Sequence, residues 1–172
     1  MELECRNLVI DTQYFLNKSF DFNSKELNAL VELVHKNLCK VYITDINNRE
    51  IEKKILDETK TSLLKIKISD ARILKSHPVF KDFLNNYNEA TLANYFVNEF
   101  EAFKKRCRVE ILSSDDIRPM EIFENYCLQK PPFDSTTNKN RKGEFPDAFA
   151  LAAIVKWANN TGNKAYLLSG DS

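Results

Sequence analysis

Short apolar runs alternate with longer amphipathic stretches along this chain. Four runs have the length and the β-branched or aromatic content of buried strands: Asn7–Ile10, Val41–Thr44, Arg108–Leu112 and Ala165–Ser169. A helix over Ser24–Leu38 separates the first two strands, and another helix follows the second strand. This alternation of strands and helices predicts an α/β fold with a central, mainly parallel sheet.

The periodic positions identify the face that the first helix buries. Ser24 is suited to its N-cap, and the apolar side chains that follow have helical spacing. The stripe comprises Leu27, Leu30, Val31, Val34 and Leu38. The next helix begins near Ile46 or Asn47 and carries Glu50 in its early turns.

The middle third of the chain lacks the strand pattern. It is rich in Lys, Glu, Leu and Phe, and its one proline is Pro78. The pattern predicts a helical insert over about residues 57–106, with two or three helices divided near His77–Pro78 and Asn85–Asn86. Aromatic residues at helical spacing are interpreted as packing positions, not as a base-stacking surface. They are Tyr95, Phe96, Phe100 and Phe103.

The last third returns to the alternating pattern. Predicted helices cover Pro119–Leu128 and Pro146–Asn159, and a polar loop, Lys130–Gly143, lies between them. The second helix is apolar on nearly all sides, which predicts burial, and Gly162 is suited to end it. A doubly wound domain ordinarily continues after such a final strand, so we expect further elements after Ser172.

Composition narrows the function classes. The 172 residues suit one domain, and 25 basic residues balance 25 acidic ones, so a nucleic-acid partner must be held by a local basic patch. The three glycines form neither GxGxxG nor GxxxxGK[ST], which argues against dinucleotide-binding and P-loop enzymes.

The four cysteines are widely separated and only two His are present, so we expect no zinc site but reduced, mostly buried thiols. With neither a signal peptide nor a membrane-length apolar run, a cytoplasmic protein without membrane contact is expected.

Four acidic residues lie beside apolar segments. Asp11 and Asp171 directly follow predicted strands, Glu50 lies at a strand-to-helix connection, and Asp147 begins an apolar helix. Ligands of open parallel sheets bind outside the carboxyl ends of the strands, so these carboxylates would share one crevice. Their repulsion calls for a divalent cation with oxygen ligands, which suits phosphodiester hydrolysis.

Local alternatives exist for two of these acids. Asp147 follows Pro146 in a first helical turn, where an anion also stabilises the helix dipole, so helix capping accounts for it equally well. Glu144 lies three residues earlier and reaches the same region. Glu52 is close enough to Glu50 to be the second carboxylate instead.

Four segments together resemble the PIN domain, a metal-dependent nuclease family, in its larger PIN-like type: NLVIDTQ, ITDINNREI, EFPDAFALAAI and YLLSGDS. The resemblance implies a three-layer α/β/α sandwich and endonucleolytic cleavage of single-stranded RNA with Mg²⁺ or Mn²⁺. It implies a catalytic and metal-binding quartet of Asp11, Glu50, Asp147 and Asp171, with Glu144 as an accessory metal ligand. Thr12 and Ser169 would orient carboxylates, waters or substrate by hydrogen bonds.

The basic residues divide into two groups. Lys139, Arg141 and Lys142 lead directly into Glu144, so they either hold substrate phosphates or belong to a solvated loop. The Lys53–Lys54 and Lys104–Arg106 runs are interpreted as solvated helix faces.

Other enzyme classes fit poorly. Neither His35 nor His77 belongs to a recognisable nucleophile motif, and Gln13 stands where a haloacid dehalogenase-type phosphotransferase needs its second Asp.

The alternative function is a PIN-like module of weak activity that binds RNA or a protein. DNA as substrate, a homodimer and an inhibitory protein partner are further possibilities that the resemblance leaves open. Stabilisation by a divalent metal distinguishes the enzyme from the module, because a binding module has little reason to concentrate carboxylates.

Overall fold

Four parallel strands form the sheet of the computed structural model, which describes residues 4–133 and 141–170 without the side chains of residues 141 and 142. The strands are β1 (Asn7–Ile10), β2 (Lys40–Thr44), β3 (Glu110–Leu112) and β4 (Tyr166–Leu168). Their order is β3-β2-β1-β4, so β1 pairs with β2 on one side and with β4 on the other. The predicted α/β class with a parallel sheet is confirmed.

Eight helices accompany the sheet in the described residues. They are α1 (Thr12–Asn17), α2 (Lys25–His35), α3 (Asp45–Ile68), α4 (Arg72–Ser76), α5 (Pro78–Asn86), α6 (Glu89–Arg106), α7 (Pro119–Cys127) and α8 (Phe145–Thr161). A short 3-10 helix, Arg141–Glu144, leads into α8, so the end of the predicted loop is ordered as a helical turn. The remaining loop residues, 134–140, lie outside the described part.

Alternation along the strands separates the two faces of the sheet. Ile10, Val41 and Ile43 belong to the larger core cluster, which also contains side chains of α1, α2, α3 and α6. Val9 and Tyr42 point to the opposite face, where the Tyr42 ring lies 4.8 Å from the Trp157 ring of α8. The chain therefore has the three layers of an α/β/α sandwich.

Phenylalanines dominate the larger cluster. The ring of Phe15 in α1 lies 5.6 Å from Phe22, 5.8 Å from Phe100 and 5.7 Å from Phe103, all measured between centroids. All four side chains are almost completely buried. The aromatic stripe of α6 is thus a packing face at Phe100 and Phe103, whereas Tyr95 remains 57% exposed.

Several predicted boundaries are confirmed and others are corrected. Ser24 accepts a hydrogen bond from the Leu27 N–H as the N-cap of α2, and Gly162 ends α8 with a positive φ of 67°. The insert divides at His77 and after Asn86 as predicted, but α3 continues to Ile68 and enters the insert. Helix α1 was not predicted, because its six residues form a helix only through the tertiary packing of Phe15.

Helix α8 is less buried than its composition predicts. Leu151 and Val155 are 45% and 49% exposed, so the expectation that all sides are buried was wrong. The buried positions of this helix are the small residues Ala148, Ala150 and Ala153. They allow α8 to approach its neighbours closely, and the opposite side of the helix stays open.

The cysteines also depart from the prediction in part. All four are free thiols, as expected, but only Cys107 is buried, and Cys127 is exposed. Burial raises the pKa of the Cys107 thiol to about 12. No helix within the described residues is both long enough and apolar enough to cross a membrane.

Phe100→Ala is expected to lower the free energy of unfolding by about 3–5 kcal/mol, because it opens a cavity between α1 and α6. Tyr95→Ala on the same helix should change it by no more than about 0.5 kcal/mol. Urea denaturation followed by circular dichroism measures both. Equal effects would contradict the burial difference within α6.

Candidate active site

The strand order brings acidic residues to one edge of the sheet. β1 is flanked by β2 on one side and β4 on the other, so the order reverses beside β1, where ligands of open α/β sheets bind. Asp11 follows β1 directly and Ser169 follows β4. Helix α8 precedes β4 and runs back across the sheet, so its first turn, with Asp147, lies at the same edge.

A cavity of about 360 Å³ occupies this edge. Asp11, Glu50 and Asp147 all line it, from β1, α3 and α8 respectively. The other lining residues used below are Thr12, Asn47, Lys54, Leu151 and Ser169. Three of the four acids that the sequence analysis singled out therefore share one cavity, although they are far apart in the chain.

Asp11 is held by neutral donors on both carboxylate oxygens. The Asn47 side-chain amide donates to Oδ1 at 2.7 Å, and the Ser169 hydroxyl donates to Oδ2 at 3.3 Å. The Asp11 backbone N–H donates to the Leu168 carbonyl at 3.0 Å, which continues the pairing of β1 with β4. Among the described residues, the carboxylate that the Ser169 hydroxyl contacts is therefore that of Asp11.

Asn47 was not singled out by the sequence analysis. It is only 6% exposed, and its backbone N–H donates to the Thr44 hydroxyl at 3.0 Å, while that hydroxyl donates to the Asn47 side-chain oxygen. Thr44 is the N-cap of α3, so the cap also fixes the amide that holds Asp11. The sequence feature that could have identified Asn47 is its position three residues before Glu50, which places both residues on the same side of the helix.

Glu50 is half-buried on α3 and accepts a hydrogen bond of 2.9 Å from the Thr12 hydroxyl. Thr12 is buried and adjacent to Asp11, so this bond ties the second acid to the first. Glu52 instead accepts from the Asn48 side chain at 2.9 Å and does not line the cavity. The geometry favours Glu50 over Glu52 as the second carboxylate.

Asp147 is exposed in the first turn of α8 and lines the cavity. Glu144 is the N-cap residue of the same helix and is half-buried, but within the described chain it is not part of the cavity lining. Of these two neighbouring acids, only Asp147 lines the cavity in the described part of the chain.

The remaining predicted site residues lie outside the described part of the chain. They are Asp171 and Lys139, together with the side chains of Arg141 and Lys142.

Gly170, the residue before Asp171, packs closely on α1. A Cβ atom there would lie 2.9 Å from the Gln13 carbonyl oxygen, so the end of β4 can approach α1 only with glycine at this position.

Asp11 and Glu50 are held by hydrogen bonds from neutral side chains in the part of the chain that the structure describes. Among side chains that the structure describes, no basic group forms an ion pair with Asp11 or Glu50. Over residues 4–133 and 141–170, no three His, Cys, Asp or Glu side chains converge closely enough to form a metal site by themselves. Lys54 is half-buried and also lines the cavity, whereas Lys53 is exposed, as expected for a solvated face.

Comparison with known proteins agrees with this architecture. A family model described as the PIN domain matches residues 8–172, and the chain belongs to that family. PIN domains are usually nucleases and generally depend on divalent metals, so the family supports a hydrolase of the nuclease class. Searches of curated proteins and of solved structures gave no significant match.

Asn47→Asp is expected to destabilise the fold by about 2 kcal/mol or more at pH 7.5, because it replaces a donor to Asp11 with a like charge. Repulsion raises the pKa of one of the two carboxylates above its unfolded value, so the folded state binds more protons. The variant should therefore regain stability relative to wild type as the pH falls towards 5.

Asn47→Ala is the control, since it loses the same hydrogen bond without adding a charge. Urea denaturation at both pH values measures the difference. If both variants depend on pH in the same way, the contact between Asn47 and Asp11 is not as described.

Proposed function

We propose that this PIN domain is a metal-dependent endoribonuclease that hydrolyses phosphodiester bonds of single-stranded RNA. The observation that carries the proposal is that Asp11, Glu50 and Asp147 line one cavity at the point where the strand order reverses. Hydrogen bonds from neutral donors hold two of these carboxylates in place. Such an arrangement concentrates negative charge at a defined position. This charge would repel a phosphate, so a phosphate can bind there only together with a cation.

The donor chemistry fits Mg²⁺ or Mn²⁺. Both are hard cations that prefer carboxylate oxygens, and Mg²⁺ commonly takes few protein ligands together with waters and phosphate oxygens. Asp11, Glu50 and Asp147 would supply the protein ligands, with Asp171 as the proposed fourth member and Glu144 as an accessory acid. A loosely converging set of acids suits this mode better than a closed metal cage.

Each residue has a distinct part in the proposed reaction. When bound, the divalent ion orients the phosphate, lowers the pKa of the attacking water and stabilises the leaving oxygen. Asn47 and Ser169 keep both Asp11 oxygens in fixed directions, and Thr12 does the same for one oxygen of Glu50. Preorganisation of this kind avoids reorientation of the carboxylates during the reaction.

The choice of RNA as the substrate rests on the family resemblance. Phosphate contacts would come from a local basic patch, since the net charge of the chain is zero. We assign this role to Lys139, Arg141 and Lys142 from their position in the sequence immediately before Glu144.

Cleavage of end-labelled RNA tests the proposal. The wild-type protein should cut single-stranded RNA at internal positions with Mn²⁺ or Mg²⁺ and should be inactive with EDTA. Asp147→Asn should reduce the rate by at least about 100-fold, as expected for loss of one group of a preorganised electrostatic site. Denaturing gels with RNA and DNA of the same sequence record both the cut positions and the preferred substrate.

Asp82→Asn is the matched control, because Asp82 is exposed on α5 and does not line the cavity. It should cleave at the wild-type rate. Cleavage of DNA alone would correct the substrate class. If wild-type protein that is folded and loaded with Mn²⁺ cuts neither substrate, the alternative of a binding module replaces the nuclease.

Binding of the metal to the folded state should raise the melting temperature. At a Mn²⁺ concentration about 100 times the dissociation constant, the gain is about 2.7 kcal/mol, or a shift of roughly 5–10 °C for a chain of this size. Asp11→Asn should lose most of the shift, whereas Asp82→Asn should keep it. Differential scanning fluorimetry measures the shift, and its absence in wild type would contradict the metal site.

A further inference from the structure

Lys54 is a basic side chain within the acidic cavity. It lies on α3 one helical turn after Glu50, a rise of about 6 Å along the helix axis. Its side chain is half-buried and lines the cavity together with the three acids. Lys53, the preceding residue, is exposed and lies outside the lining. Among the residues that the structure describes, the cavity lining therefore combines three acidic side chains with one basic side chain, that of Lys54.

The ammonium group of Lys54 is not engaged by the acids around it. A Glu followed by a Lys four residues later commonly forms an ion pair on a helix surface. Here Glu50 accepts from Thr12 instead, and Lys54 forms no ion pair or hydrogen bond with any side chain that the structure describes. Since none of the described side chains pairs with Lys54, its ammonium group is available to an anion that enters the cavity.

We propose that Lys54 binds a phosphate oxygen of the nucleic acid beside the bond that is cut. This inference rests on the proposed nuclease function, because it assigns the phosphate to the strand held by the acidic cavity. Lysine suits the role as a compact positive charge on a flexible stem, which can follow a phosphate without fixing its orientation.

The position of Lys54 in the cavity makes it a substrate-binding residue. Its positive charge also reduces the electrostatic repulsion between the phosphates of the substrate and the carboxylates of the cavity. A phosphate held about one helical turn from Glu50 would fix how far the strand advances into the cavity. The competing role is that of a counter-ion that only stabilises the acids before metal binds. That role requires Lys54 to support folding in the absence of metal and predicts no contact with RNA.

Salt-dependent binding separates the two roles. A fluorescein-labelled single-stranded oligoribonucleotide is titrated with Asp147→Asn protein at a constant concentration of Ca²⁺ in place of Mn²⁺, so that a cation accompanies the carboxylates while cleavage stays slow. Fluorescence polarisation is followed from 50 to 200 mM KCl. Each phosphate contact adds about 0.7 to the magnitude of the slope of log K against log salt for a single strand. Adding Lys54→Gln should lower that magnitude by about 0.7, and adding Lys54→Arg should restore it.

Lys53→Gln is the matched control, because it removes the same charge from the same helix outside the cavity. It should leave the slope unchanged. Equal slopes for the Lys54→Gln and Lys53→Gln proteins would overturn the proposal. A lower melting temperature of Lys54→Gln in EDTA, with the slope unchanged, would likewise overturn it in favour of the counter-ion role.

Cleavage kinetics add a second readout in the otherwise wild-type protein. Lys54→Gln should reduce kcat/KM by about tenfold or more, with Lys54→Arg recovering most of the loss and Lys53→Gln unaffected. If wild-type protein cleaves no RNA or DNA, the proposed nuclease function fails. The slope measurement still decides whether Lys54 contacts phosphate, so the two failures are distinguishable.

Discussion

The parallel pairing of β1 with both β2 and β4 is the constraint on which the rest of the structure depends. It places the strand order reversal beside β1 and brings the carboxyl ends of β1 and β4 together. The backbone hydrogen bond from the Asp11 N–H to the Leu168 carbonyl extends this pairing to the site itself. Every acidic group of the cavity is positioned relative to that edge, including the first turn of α8.

Hydrogen bonds between polar side chains then fix the orientation of the carboxylates at this edge. Thr44 caps α3 and holds Asn47, Asn47 holds Asp11, and the neighbouring Thr12 holds Glu50. The contact between Thr44 and Asn47 also caps α3, so the start of that helix and the orientation of the Asp11 carboxylate are linked. Carboxylates that share a cavity repel one another, and a bound divalent cation would relieve that repulsion, in keeping with the proposed metal site.

Much of the fold could be predicted because the central strands β1 and β2 are short apolar runs that become buried, and because the amphipathic helices have clear periodicity. The strands, the Ser24 and Gly162 boundaries and the breaks of the insert follow from local rules. Helix α1 could not be predicted, since six residues cannot form a stable helix alone and depend on Phe15 in the aromatic cluster. The exposure of Leu151 and Val155 depends on which side of α8 meets the sheet, which composition does not reveal.

The sequence by itself determined the class of protein and the identity of the candidate acids, because strand ends and helix starts are local features with recognisable residues. Only the tertiary structure decided which side chains meet. Over the residues that the structure describes, it brought Glu50 rather than Glu52 to the cavity, left Glu144 out of the lining, and added Asn47 and Lys54. The physical reason is that contacts between distant segments depend on strand order and helix direction, whereas residues close in sequence can point to opposite sides of one helix.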